Sequence, residues 1–151
     1  MSIEARLAEK GITLPAAPAP AANYVPFVQS GNLIFVSGQI SQNEDGLITG
    51  RLGDGLTVED GAEAARRCGL SLIAQLKAAV GDLDRVARVV KLTGFVNSTP
   101  DFTDQPKVIN GCSDLMVEVF GDAGRHARAA VSAPALPLGV AVEIEAIFEV
   151  K

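Results

Sequence analysis

Two stretches without a formal charge constrain this chain most. Positions 11–43 contain no Asp, Glu, Lys or Arg, and neither do positions 129–142, between Arg128 and Glu143. The first stretch is interrupted by Pro15, Pro18, Pro20 and Pro26 and carries Asn23, Gln29, Asn32 and Gln39. It therefore cannot run as the apolar helix of about 20 residues that a bilayer demands. Exposed edge strands ordinarily carry charge that blocks sheet-to-sheet association. Uncharged strands are accordingly expected to be covered, either within one copy of the chain or between copies, and these residues alone favour neither. The rest has the make-up of one domain: 151 residues, 48% hydrophobic and 21% charged, enough for a core without disulfide or metal. A net charge of −5 argues against nucleic acid and anionic membrane surfaces as partners. Met1 to Lys10 already carries Glu4, Arg6, Glu9 and Lys10, so no secretory leader is expected. Cys68 and Cys112 have neither CxxC spacing nor clustered histidines, and read as buried thiols of a cytoplasmic protein.

Ile3 to Leu14 predicts a short amphipathic helix, and Pro15 to Ala22 an extended linker, so residues 1–22 form an N-terminal extension to a domain over 23–151. Val25 to Gln29 and Leu33 to Ser37 flank Ser30, Gly31 and Asn32 as a β-hairpin. Asn43 to Gly55 reads as an exposed loop. Thr57 and Asp60 make a capping box, after which Ala65, Cys68, Leu72, Ile73, Leu76 and Ala79 recur at helical spacing until Gly81. Val86 to Val96 reads as a strand with Val90, Leu92, Gly94 and Val96 on one face. Thr103 or Asp104 opens a second helix with the stripe Val108, Ile109, Cys112, Leu115, Met116, Val119 and Phe120, closed by Gly121. In the last strand Val142, Ile144, Ala146, Phe148 and Val150 share one face. The order β, β, α, β, α, β, β predicts an α+β fold, a single mixed sheet with two helices on one face.

No phosphate-binding glycine loop, zinc-protease motif or nucleophile elbow occurs. His126, the only histidine, reads as a solvated loop residue beside Arg125 and Arg128. If Arg128 to Ser132 and Gly139 to Glu143 pair antiparallel about a turn between Ala135 and Leu136, then Arg128 stands opposite Glu143, on the face the helices leave open. Such a pair is either a silent surface ion pair of about 0.2 to 1 kcal/mol or a small-carboxylate site. A guanidinium fork grips a carboxylate with two parallel hydrogen bonds, and a neighbouring carboxylate can hold a water or exchange a proton.

Gly31 to Ile40, reading GNLIFVSGQI, together with Arg128, Leu136, Pro137 and Val142 to Ala146, reading VEIEA, resemble the signature of the RidA (YjgF/YER057c/UK114) family of reactive-intermediate deaminases over about residues 16–150. The resemblance implies a chorismate mutase-like fold, assembled as a homotrimer around a central barrel with ligand clefts between neighbours. It implies cofactor-free hydrolysis of 2-imino acids to 2-keto acids and ammonia. Arg128 would anchor the substrate carboxylate and Glu143 would position the attacking water. Ser37 and Gly38 would line the pocket, Tyr24 or Phe27 would supply a cleft aromatic, and Asn110 would match a cleft asparagine. Ala130 stands where the family's deaminases often carry cysteine, Asp101 to Asn110 is longer than usual, and the Ala/Pro extension is a further departure. Two alternatives accompany this expectation: a trimeric protein that binds small carboxylates without turnover, and an endoribonuclease, which the net charge makes the weakest.

Overall fold

Thr57 does cap a helix. In the computed structural model, which describes residues 1–20 and 22–151, its hydroxyl accepts from the Asp60 N–H at 3.1 Å, and the Asp60 carboxylate accepts from the Thr57 N–H at 3.0 Å. Two donors that a helix start cannot pair internally are thereby satisfied. In chain order the elements are α1 (Ile3–Glu9), β1 (Phe27–Ser30), β2 (Leu33–Ile40), β3 (Gln42–Asn43), β4 (Gly46–Leu47), β5 (Arg51–Leu52), β6 (Gly55–Leu56), α2 (Val58–Val80), β7 (Val86–Asn97), α3 (Gln105–Phe120), β8 (Ala127–Ala133) and β9 (Val142–Val150). Ala21, inside the expected extension, lies outside the described residues. Among the described residues no helix is long and apolar enough to cross a membrane.

The α+β expectation holds. Five strands form one mixed sheet in the order β1-β2-β9-β7-β8, and α2 and α3 cover one face. The period-2 pattern of β9 decides which: Val142, Ile144, Ala146, Phe148 and Val150 are all buried, facing the helix stripes of Leu72, Ile73 and Leu76 and of Ile109, Leu115 and Met116. Each of the larger side chains contributes roughly 1.5 to 3 kcal/mol by leaving water. Gly94 on β7 lets α3 lie close, since a Cβ there would stand 2.5 Å from Ile109 Cδ1. The other face carries Glu143, Glu145, Ile147 and Glu149 of β9, with Phe95 of β7 opposite Glu143 and Phe35 of β2 opposite Ile147. Val28, Phe35 and Val131 are exposed on it.

Several expectations need correction. The C-terminal hairpin does not form: β8 pairs parallel with β7, which places Arg128 beside Leu92. Glu143 pairs with Ile40 and Phe95 instead. The helical crossover α3 brings β8 back parallel to β7, and β9 then inserts between β2 and β7, so β8 and β9 are not paired. Arg128 therefore lies on the helix side of the sheet, not the open side. Irregularities in the β7–β9 register between Val86 and Arg88 and between Val89 and Lys91 bury Val89 in place of Val90. β2 continues past Ser37 to Ile40 through a bulge. The segment Asn43 to Gly55 contains short strands and the fully buried Leu52. Asp104 is the cap residue of α3 but makes no side-chain cap bond.

Candidate active site

Two separate clusters hold the residues that could do chemistry. The first sits at the β8 edge of the sheet. Asn110 and Ser113 are three apart on α3 and so share a helix face, turned toward β8. Arg128 Nη1 donates to Asn110 Oδ1 at 2.8 Å and to Ser113 Oγ at 3.2 Å. Among the described residues no carboxylate lies within ion-pair distance of this guanidinium. The cation is steered by neutral oxygens rather than cancelled by a counter-ion. Ala130 follows on the same side, opposite Gly94, half-buried against the core and without a polar atom to offer. Cys112, the residue before Ser113, is no substitute for the cysteine that the family's deaminases often carry where this chain has Ala130. Burial pushes its thiol up to about 12, against the opposing pull of Arg128, so at neutral pH it is a core residue.

The second cluster lies across the sheet, where Glu143 projects from β9 over the β2 bulge. A Cβ at position 38 would fall on Glu143 Oε2, so only glycine leaves room for that carboxylate. Half-burial, and secondarily the charge of Glu145 two residues on, raise the Glu143 pKa above its ordinary value. Glu143 and Gly38 line a cavity of about 610 Å³ whose wall includes Tyr24, Pro18, Gln39 and Leu138. Amides organise its floor. Gln39, buried, donates to the Ser37 carbonyl at 2.9 Å, and Gln75, buried on α2, donates to the Pro18 carbonyl at 2.6 Å and, at 3.5 Å, to Gln39 Oε1. The Pro/Ala segment is thus tied down as one side of the cavity.

The structure brings Glu143, Gly38 and Tyr24 together, and separately Arg128, Asn110 and Ala130, but it does not bring Arg128 to Glu143. Ser37 is not in the cavity wall: its hydroxyl donates to the Val25 carbonyl at 2.8 Å, holding the segment that carries Tyr24. Phe27 packs against the core. The sequence reading passed over Ser113 and Gln75 and took His126 for a solvated residue. For Ser113 a signal existed, a polar residue three positions from Asn110 beside an apolar stripe. His126 is half-buried, bonded to Ser113 and to the Gly124 carbonyl, rather than free in a loop.

Residues 4–149 match the family model described as "YjgF/chorismate mutase-like, putative endoribonuclease". Protein TCP17 of Trypanosoma cruzi is 55% identical over 97% of this chain and 93% of its own length. The 2-iminobutanoate/2-iminopropanoate deaminase of Dermatophagoides farinae is 31% identical over 93% of this chain and 95% of its own. The crystal structure of a putative endoribonuclease from Shewanella oneidensis superposes with a TM-score of 0.95 at 36% identity, covering 99% of this chain and all of that one.

Proposed function

The chain belongs to the YjgF/chorismate mutase-like family, and from that premise we propose that it hydrolyses reactive 2-imino acids to 2-keto acids and ammonia, without a cofactor. The observation that carries the reading is the Arg128 guanidinium, held on one nitrogen by Asn110 and Ser113 and given no carboxylate of its own among the described residues. Its remaining N–H groups make a fork suited to a small carboxylate. Glu143 is the group we assign to the water. As water oxygen attacks the imine carbon, Glu143 takes a proton and the C=N π pair moves to nitrogen. The proton then passes to that nitrogen, giving a carbinolamine; Glu143 next carries the carbinolamine hydroxyl proton to the same nitrogen, and as the C–N bond breaks ammonia leaves and the O–H pair closes the carbonyl. A carboxyl with a raised pKa is better matched to this exchange at neutral pH than an ordinary one.

One copy of the chain keeps Arg128 and Glu143 apart, so the reading requires two: the Arg128 cluster of one protomer faces the Glu143 cavity of the next, in a homotrimer. Val28, Phe35 and Val131, exposed on the open sheet face, support burial between copies. Tyr24 and Gly38 would line the joint cleft, Asn110 would orient the anchor, Ala130 would floor it and Ser37 would hold the rim. The buried free thiols fit the cytoplasm, where pyridoxal-phosphate enzymes release such imines.

The test generates 2-iminobutanoate with a pyridoxal-phosphate dehydratase and times 2-ketobutyrate release. Arg128→Ala is expected to abolish the acceleration, and Arg128→Lys to recover little of it, with binding weaker by roughly 10- to 150-fold. Near wild-type turnover by Arg128→Lys overturns the anchor. No acceleration by the wild type, with 2-ketobutyrate still bound, reassigns the chain to carboxylate binding alone, and RNA cleavage abolished by Arg128→Ala would move the site to an endoribonuclease.

A further inference from the structure

The single histidine of the chain completes a hydrogen-bonded file that ends on Arg128. A carbonyl oxygen can only accept, so the 2.6 Å contact between His126 Nδ1 and the Gly124 carbonyl puts the proton of the neutral ring on Nδ1. Nε2 is left with a lone pair. The Ser113 hydroxyl, 2.8 Å away, then donates to Nε2, which turns the oxygen lone pairs of Ser113 toward Arg128 Nη1, 3.2 Å off. Every partner in the file has one admissible role. We propose that Ser113 and His126 are positioning residues for Arg128: the ring orients the Ser113 hydroxyl, and the hydroxyl, with Asn110, aims the guanidinium that grips the ligand carboxylate. This rests on the reading of Arg128 as the anchor.

The ring also has to stay neutral for the file to hold its direction. Its pKa is lowered, first by burial and then by the Arg128 cation, while the Gly124 bond opposes the shift. The charged or titratable groups around this corner are Arg128 on β8, the exposed Asp122–Arg125 pair in the turn before it, Arg88 on β7, whose Nη2 donates to the Arg125 carbonyl at 2.9 Å, and Cys112 and Asp114 flanking Ser113 on α3. Arg128 is the one cation that acts directly on the ring, so guanidinium and imidazole are coupled in charge as well as in direction.

The experiment combines proton and nitrogen NMR of the His126 ring, unambiguous because no other histidine exists, with 2-ketobutyrate binding to the intact chain. Ser113→Ala is expected to raise the 2-ketobutyrate Kd about tenfold, the effect of losing one charge-assisted bond. KM should rise more than kcat falls. Ser113→Thr, which keeps the oxygen, is expected to stay within about twofold of wild type. In an Arg128→Ala background Ser113→Ala should add nothing, since it acts through the arginine. The His126 pKa should rise in Arg128→Gln without ligand, where the cation beside the ring is gone. A folded Ser113→Ala protein with unchanged Kd, an equal further loss in the Arg128→Ala background, or a His126 pKa indifferent to Arg128→Gln overturns the proposal. Should the wild type bind no 2-ketobutyrate, the anchor reading fails, while the ligand-free response to Arg128→Gln still decides whether the file couples ring to guanidinium.

Discussion

The Arg128 corner and the Glu143 cavity handle a charge in opposite ways. At the corner a permanent cation is surrounded by neutral acceptors that fix its direction. In the cavity an acid is set over a glycine, half-buried and next to another carboxylate, so that its charged form is disfavoured. Gripping an anion needs a full charge in a fixed orientation; moving a proton needs a group whose two protonation states are close in free energy. The two environments differ as those two tasks differ.

Four substitutions press on this contrast. Glu143→Gln keeps the shape and removes the proton acceptor; kcat is expected to fall about 10²- to 10⁴-fold, with 2-ketobutyrate binding at the Arg128 corner largely kept. The same variant should be more stable than wild type at neutral pH. The folded chain binds the Glu143 proton more tightly than the unfolded chain does, so this group's contribution to stability falls as pH rises through and above the ordinary carboxylate range, as thermal melts across pH will show. Gly38→Ala forces the Glu143 carboxylate aside, and since the displaced atoms are the end of a flexible side chain, kcat should drop with Tm scarcely moved. A large loss of Tm with unchanged kcat would mean that the carboxylate was not where the chemistry occurs. Gly94→Ala acts on the other region: the new methyl meets Ile109, at a cost of about 1 to 3 kcal/mol of overpacking, shifting the helix that carries Asn110 and Ser113. Its signature should be a raised KM and a lower denaturation midpoint. The smallest effect is expected from Glu145→Gln, which removes the lesser of the two causes raising the Glu143 pKa and should move the acid limb of the rate profile to lower pH. Movement in the opposite direction would remove Glu143 as the titrating group.

The fold was legible where local physics decides it. The Thr57–Asp60 reciprocal cap, the stripe from Val108 to Phe120 and the alternation of β9 each follow from one element's own chemistry, and each is present. Strand neighbours were not legible from alternation, which reports a face but never a partner. The hairpin from Arg128 to Glu143 assumed that consecutive strands pair, whereas a helix between β7 and β8 already favoured a parallel crossover. That one error carried Arg128 to the wrong side of the sheet and beside the wrong acid. Arg128 and Glu143 were singled out because a bidentate cation and a carboxylate bounding an uncharged stretch are conspicuous in composition. Ser113 and the bonded state of His126 were not, because a serine on a helix and a histidine in a turn gain meaning only when the fold seats Ser113 between His126 and Arg128.

The position of β9 bears on how the molecule comes to exist at all. It is the last strand in chain order yet the middle one of the sheet, bonded to β2 on one side and β7 on the other. During synthesis the β1–β2 ribbon and the β7–α3–β8 unit emerge without the strand that hydrogen-bonds to both, each presenting an open border. The sheet closes only after β9 has cleared the ribosome, so deletion of that strand should leave two open borders seeking other strands, with aggregation rather than a merely weakened fold.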